Sequence, residues 1–272
     1  MSIVSRFAPS PTGYLHEGHA FSAWKARRLA DWLWLRLEDI DATRCKSAFY
    51  GAIAEDLAWL GVEWQGEMRV QSAHLPDYGA VLAGLRARGL LYECFCTRTE
   101  VNAALGAPHG GEAVYPGICQ GLSADERAEK LARGEKFAWR LDMARALAAV
   151  GGGLRFYDEY RGWIEAEPGR FGDVVLARKE VMASYHLCVV HDDALQGVTH
   201  VVRGEDLLAA THVHVLLQRL LGLGTPVYAH HRLLKDATGR RLAKRDGALS
   251  LRALREAGVT PGEILRRFEE AE

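Results

Sequence analysis

Residues 6–20, RFAPSPTGYLHEGHA, constrain this chain more than any other stretch. Ile3 and Val4 supply a short β-branched lead-in, Pro9, Pro11 and Gly13 interrupt it, and two histidines then open a helix. A strand that turns sharply into a helix gathers unpaired amide N–H groups and the positive end of the helix dipole at one spot, where phosphate is favoured. His16 and His19, three apart, share one face of the first turn and add donors. Gly18 between them has no Cβ, so a flat base or a backbone can come close. This is the layout of a nucleotide pocket.

With 272 residues, 49% hydrophobic and 25% charged, and no long biased tract, the chain reads as an ordered globular protein: one large core plus an insertion, or two domains. No run approaches the ~18 apolar residues of a membrane span. Met1 to Phe7 lacks a basic-then-apolar leader, so a cytoplasmic protein without membrane attachment is expected. Cys45, Cys94, Cys96, Cys119 and Cys188 are odd in number and unevenly spread, which argues against a secreted disulfide framework and for metal binding or plain burial. A formal net charge of −1 means that any nucleic-acid site must be local. The stretch Arg232 to Arg255, dense in Lys and Arg, is the candidate; an ordinary solvated basic face is the competing reading.

Patterning predicts strands over 2–8 and 32–37 with a helix over 20–29 between them, helices over 49–60 and 75–88, and a short strand at 67–71. That alternation points to a parallel sheet with flanking helices. From Tyr92 the texture changes to clustered cysteines, a Gly- and Pro-rich run at 106–111, and a helix capped by Ser123 with Glu126 three later. Strands at 137–141 and 154–157 are assigned to a separate inserted unit. Strands of the first kind are expected to resume at 174–176, 185–190 and 198–202, with His191-Asp192-Asp193 as a polar strand terminus, before a helix over 207–221 and a strand near Val227. Short helices over 250–257 and 261–268 close the chain, the second with Thr260 and Glu263 as a capping box. His212, His214, His230 and His231 read as surface or internally satisfied histidines.

The segment RFAPSPTG followed by HEGH resembles the HIGH motif of class I aminoacyl-tRNA synthetases in its glutamyl form, and Arg241-Leu242-Ala243-Lys244-Arg245 resembles the KMSKS loop of the same family. The likeness implies a Rossmann-like α/β catalytic domain with a smaller inserted α+β subdomain and a short helical C-terminal end. The implied divisions are residues 1–91 and 173–245 for the two catalytic halves, 92–172 for the acceptor-end and zinc insertion, and 246–272 for the tail. His16, Gly18, His19, Arg241 and Lys244 are implied to hold ATP, and of these His16, His19 and Lys244 are the catalytic residues. Positive charge placed where pyrophosphate leaves lowers the barrier to adenylate formation. Arg241 keeps the charge of the usual first lysine and Ala243 loses a hydroxyl. Glu17 stands where the family usually has an apolar residue: either its side chain points away from the phosphates or it weakens ATP binding.

The contexts RFAPS, RLED, SYHL and VVRG match the family's amino-acid pocket, implying that Arg6, Phe7, Ala8, Pro9, Ser10, Glu38, Tyr185 and Arg203 bind L-glutamate. A planar guanidinium fork suits a carboxylate and leaves a neutral amide poorly matched. Cys94, Cys96 and Cys119 with Tyr115 are either a four-donor zinc set or three reduced thiols beside a neutral tyrosine. Only a short tail follows Arg245, with no room for an anticodon-binding part. The chain is thus most similar to the short glutamyl-queuosine tRNA(Asp) branch. That branch implies ATP with Mg2+, one structural Zn2+, a monomer, and glutamate transfer to the queuosine of tRNA(Asp) after tRNA-independent activation. A fragment of a discriminating glutamyl-tRNA synthetase, or a non-catalytic RNA-binding paralogue suggested by Glu17, Arg241 and Ala243, are the alternatives.

Overall fold

Strand β1 (Val4–Phe7), helix α1 (Glu17–Leu29) and strand β2 (Trp32–Leu37) begin the chain, and β1 pairs with β2 in parallel, Val4 opposite Trp32 and Phe7 opposite Leu35. The computed structural model describes residues 2–97, 99–101, 114–178, 182–234 and 249–272. Helix α2 (Ala48–Trp59), β3 (Arg69–Val70) and α3 (Leu75–Ala87) follow, β3 lying parallel to β2. Next come β4 (Leu91–Cys94), α4 (Ala124–Ala132), β5 (Ala138–Leu141), α5 (Met143–Val150), β6 (Arg155–Asp158), β7 (Gly162–Glu165) and β8 (Val175–Arg178). The remainder is α6 (Tyr185–Leu195), β9 (His200–Gly204), α7 (Leu208–Leu220), β10 (Val227–His231), α8 (Leu251–Glu256) and α9 (Pro261–Glu270).

One sheet has the order β1-β2-β3 and another β7-β6-β10-β9. They meet at β1 and β9, where Thr199 N–H donates to Val4 O and Val4 N–H donates to Thr199 Oγ1, both at 2.9 Å. The chain therefore runs outward from β1 in one direction, returns beside β1 as β9, and runs outward in the other. A crevice opens beyond the carboxyl ends of strands at such a reversal. The third sheet, β4-β5-β8, is antiparallel. It is not an isolated unit: Leu141 of β5 and Leu176 of β8 share one core with Leu187 of α6 and Leu216 of α7. Each fully buried leucine of this kind contributes about 1.5–3 kcal/mol relative to exposure.

Three expectations are corrected. Residues 185–190 form the start of α6 and not a strand, because Ser184 Oγ accepts from Leu187 N–H as an N-cap and the segment is buried nearly all round, which erases the periodicity that separates helix from strand. His191, Asp192 and Asp193 accordingly sit on that helix, with both aspartates buried. The strand expected at 154–157 belongs to the larger sheet, β6 pairing in parallel with β10 through Asp158 and Tyr228, and the one expected at 174–176 belongs to the small sheet, antiparallel to β5. Both swaps are set by tertiary pairing, which local sequence does not encode. The capping boxes at Ser123/Glu126 and Thr260/Glu263 are both present.

Candidate active site

The Pro-rich turn after β1 is held by its own carbonyls: Glu38 N–H donates to Pro9 O at 3.1 Å and Lys46 N–H to Pro11 O at 3.0 Å. His16 caps α1 in an extended conformation. Gly18 N–H donates to His16 Nδ1 at 3.1 Å, and His16 N–H donates to His19 Nδ1 at 3.3 Å. Because both Nδ1 atoms accept, a neutral ring at either position carries its proton on Nε2. The rings lie close together, centroids 3.8 Å apart and planes tilted by 31°. Glu17 turns away from them, accepting from Arg267 Nη1 of α9 at 2.9 Å.

A cavity of about 500 Å³ opens at the β1/β9 reversal. All eight residues expected to hold glutamate line it, together with His16, Gly18 and His19. Arg6 at the end of β1 donates from Nε to Asp193 Oδ1 at 3.0 Å and from Nη1 to Val202 O at 3.3 Å, leaving Nη2 without a partner among the described residues. Arg203 at the end of β9 donates from Nη1 to Tyr185 Oη at 3.2 Å, from Nη2 to Thr211 Oγ1 at 2.6 Å and from Nε to His230 Nε2 at 3.1 Å. Glu38 lies at the same wall, its Oε1 3.5 Å from Arg36 Nη2.

The carboxylates are not shared evenly among the arginines. Arg6, Arg36 and Arg203 are the buried arginines among the described residues. Arg36 Nη2 and Arg6 Nε both reach Asp193, at 2.8 and 3.0 Å. Burial pushes Asp193 toward the neutral form, but Arg6 and Arg36 overcome it and hold the carboxyl below its ordinary range. Burial raises Glu38, with Arg36 and Arg6 opposing. Arg203, by contrast, has only neutral partners. Burial, and then the Arg203 charge itself, lower His230 to about 4 and His214 well below its ordinary value. A buried guanidinium without a carboxylate partner is costly until an anion arrives, so this end of the cavity is suited to an anion.

Several of these residues were not anticipated from sequence. His214 and His230, expected as surface or internally satisfied histidines, are buried and satisfied, but against Arg203, and Asp158 on β6 accepts from His230 Nδ1 at 2.7 Å, which fixes the tautomer that lets Nε2 accept from Arg203. Asp193 lies eight residues after Tyr185, on the same face of α6. Helical spacing would have linked the two had the segment been read as a helix. The Arg241 to Arg245 segment lies outside the described residues. Its flanks both border the His16 turn: Leu234 lines the cavity, while Ser250 bridges to His16 and Leu251 N–H donates to Leu15 O at 2.8 Å.

Away from the cavity, Cys94, Cys96 and Cys119 bring their sulfurs within 4.8 Å of one another. Tyr115 Oη lies 3.3 Å from Cys94 Sγ and 3.4 Å from Cys96 Sγ. Thiolates on one metal ion at ~2.3 Å sit about 3.8 Å apart, so the three sulfurs could hold a metal ion, with Tyr115 Oη, which accepts from Cys119 N–H at 2.8 Å, beside them.

A strand-order reversal, a histidine-capped helix and two buried arginines thus meet at one cavity of an α/β domain. The sequence matches the family described as tRNA synthetases class I (E and Q), catalytic domain, over residues 2–269, and the chain belongs to that family. Within it the chain is similar to the Glutamyl-Q tRNA(Asp) synthetase of Rhodobacter capsulatus, 45% identical over 97% of this chain and 99% of that one. The Glutamyl-Q tRNA(Asp) synthetase of Nocardia farcinica is 43% identical over 96% of this chain and 82% of its own length. The crystal structure of a glutamate tRNA ligase from Elizabethkingia meningosepticum in complex with its amino acid superposes with a TM-score of 0.75 at 26% identity, covering 91% of this chain and 53% of that one. The chain thus spans about half the length of that ligase. No helix among the described residues is long and apolar enough to cross a membrane.

Proposed function

We propose that this chain activates L-glutamate with ATP, without tRNA, and transfers the glutamyl group to the queuosine base of tRNA(Asp). The observation that carries the reading is the placement of Arg203, a buried cation with only neutral partners, in one cavity with the His16/His19 helix start. Arg203 and the Nη2 edge of Arg6 take the side-chain carboxylate of glutamate, with the Tyr185 hydroxyl beside them. Glu38, with Ser10, takes the ammonium, whose arrival favours the ionised form of that carboxyl. Phe7, Ala8 and Pro9 form the floor.

The α-carboxylate attacks the α-phosphorus of ATP, the bond to pyrophosphate breaks, and a mixed anhydride forms. His16 and His19 donate from Nε2 to the phosphates at the α1 start, Gly18 leaves room for the nucleotide, and Lys244 with Arg241 neutralises the departing pyrophosphate. Magnesium brought in with ATP supplies further positive charge. A hydroxyl of the queuosine cyclopentenediol then attacks the acyl carbon and AMP leaves. Cys94, Cys96 and Cys119, with Tyr115, would hold a structural zinc ion, and the protein works as a cytoplasmic monomer. The test is isotope exchange between ATP and pyrophosphate, followed by charging. Exchange that needs glutamate but no tRNA, with charging of queuosine-containing and not queuosine-lacking tRNA(Asp), is expected; exchange only with tRNA present overturns the reading.

A further inference from the structure

We infer that a second cavity beside the first receives the vicinal diol of the acceptor nucleoside, and that His186 presents the N–H that orients it. This rests on the function proposed above. The second cavity, about 720 Å³, shares the walls Ser10, Thr12, Glu38 and Tyr185 with the glutamate pocket, so a glutamyl group held there by its ammonium and side chain can be approached from this side. The rest of its lining sets Asp41, Asp173, Arg44 and Arg140 among apolar groups that include Phe171 and Val174, which offers a nucleoside both hydrogen-bonding groups and an apolar wall for its base.

The donor is fixed by a directional chain. Arg203 Nη1 and Nη2 lie 3.4 and 3.5 Å from His214 Nδ1, and a guanidinium only donates, so that nitrogen accepts. His214 then carries its proton on Nε2, which lies 3.1 Å from His186 Nδ1. His186 Nδ1 must accept in turn, which places its proton on Nε2, a nitrogen without a partner among the described residues on a ring that lines the second cavity. Burial, then the Arg203 charge, keep both rings neutral at pH 7, so the chain keeps its direction. With Nε2 already protonated, His186 is no base for the attacking hydroxyl. The attacking oxygen forms the ester bond to the acyl carbon, the anhydride bond breaks, and the hydroxyl proton leaves with the AMP phosphate. His186 donates to the neighbouring hydroxyl of the diol and is a positioning residue.

The test compares wild type, His186→Leu and His186→Gln in glutamate-dependent exchange, in which the acceptor takes no part, and in charging of queuosine-containing tRNA(Asp). The leucine variant is expected to raise the KM for tRNA about tenfold, the loss of one buried donor, with exchange within about twofold of wild type. The glutamine variant, whose amide nitrogen reaches the place of Nε2, is expected to return the KM to within about threefold. An unchanged KM in the leucine variant, or exchange and charging falling together in both variants, overturns the inference. Wild type that exchanges but does not charge queuosine-containing tRNA(Asp) overturns the acceptor reading beneath it, and the inference with it.

Discussion

Glu17 Oε1 accepts from Arg267 Nη1 at 2.9 Å, so the carboxylate inside the histidine turn faces helix α9 and not the phosphate end of the cavity. Of the two readings the sequence left open, the side chain pointing away is the one the structure supports. Glu17→Gln is expected to leave the KM for ATP within about twofold in the exchange assay. The pair is largely exposed on its Arg267 side, where ion pairs contribute about 0–1 kcal/mol, so the thermal midpoint should move by no more than a few degrees. A tenfold change in the KM for ATP would show that this carboxylate reaches the nucleotide.

Arg203→Lys should fail nearly as badly as Arg203→Ala. A lysine keeps the charge but cannot reach Tyr185, Thr211 and His230 together through one planar fork. With charge-assisted hydrogen bonds near 1.5–3 kcal/mol, glutamate KM in the exchange assay is expected to rise about tenfold to a hundredfold for either variant. A lysine variant with wild-type KM would show that charge alone, and not geometry, selects the substrate.

Acid should destabilise the protein well before the carboxylates titrate. An unfolded histidine takes up a proton near pH 6.5. In the folded chain burial, followed by the Arg203 charge, lowers His186 and His230 to about 4 and His214 well below its ordinary value. Above about pH 6.5 both states are neutral and nothing is lost. As pH falls from there toward 4 the unfolded state binds protons that the folded state refuses, costing about 1.4 kcal/mol per pH unit for each such ring. Urea midpoints at pH 7, 6 and 5 should therefore decline, and less steeply in His214→Gln. A flat profile over that window would contradict the neutral assignment.

Metal analysis of the purified chain should find about one zinc per molecule, lost in Cys119→Ser and on treatment with a strong chelator. Cys119 Sγ lies 3.3 Å from Cys96 Sγ and accepts from Phe95 N–H, so its loss opens the site without touching the glutamate cavity. The thermal midpoint should drop in both cases. Zinc-free wild-type protein of unchanged midpoint would favour three reduced thiols.

Much of the candidate site was legible through the resemblance of four short contexts to the family's amino-acid pocket. Trp32–Leu37 was bounded correctly by its apolar run, and the contexts around Arg6, Glu38, Tyr185 and Arg203 placed residues in one cavity that are scattered along the chain. Two kinds of information were missing. Strand pairing is decided by distant partners, so β6 and β8 exchanged sheets. The polar support for the arginines, Asp158, Asp193, His214 and His230, resembles any buried polar residue until the fold shows which guanidinium each one faces.

The junction of β1 and β9 joins residues 195 positions apart. A ribosome adding about 5–20 residues per second has therefore released Arg6 long before Arg203 exists. The nascent amino-terminal half carries a cationic strand end whose carboxylate, Asp193, has not yet been made. Glutamate recognition is consequently a property that switches on late in synthesis, and ligand capture by ribosome-bound chains of increasing length would time the moment at which the two halves dock.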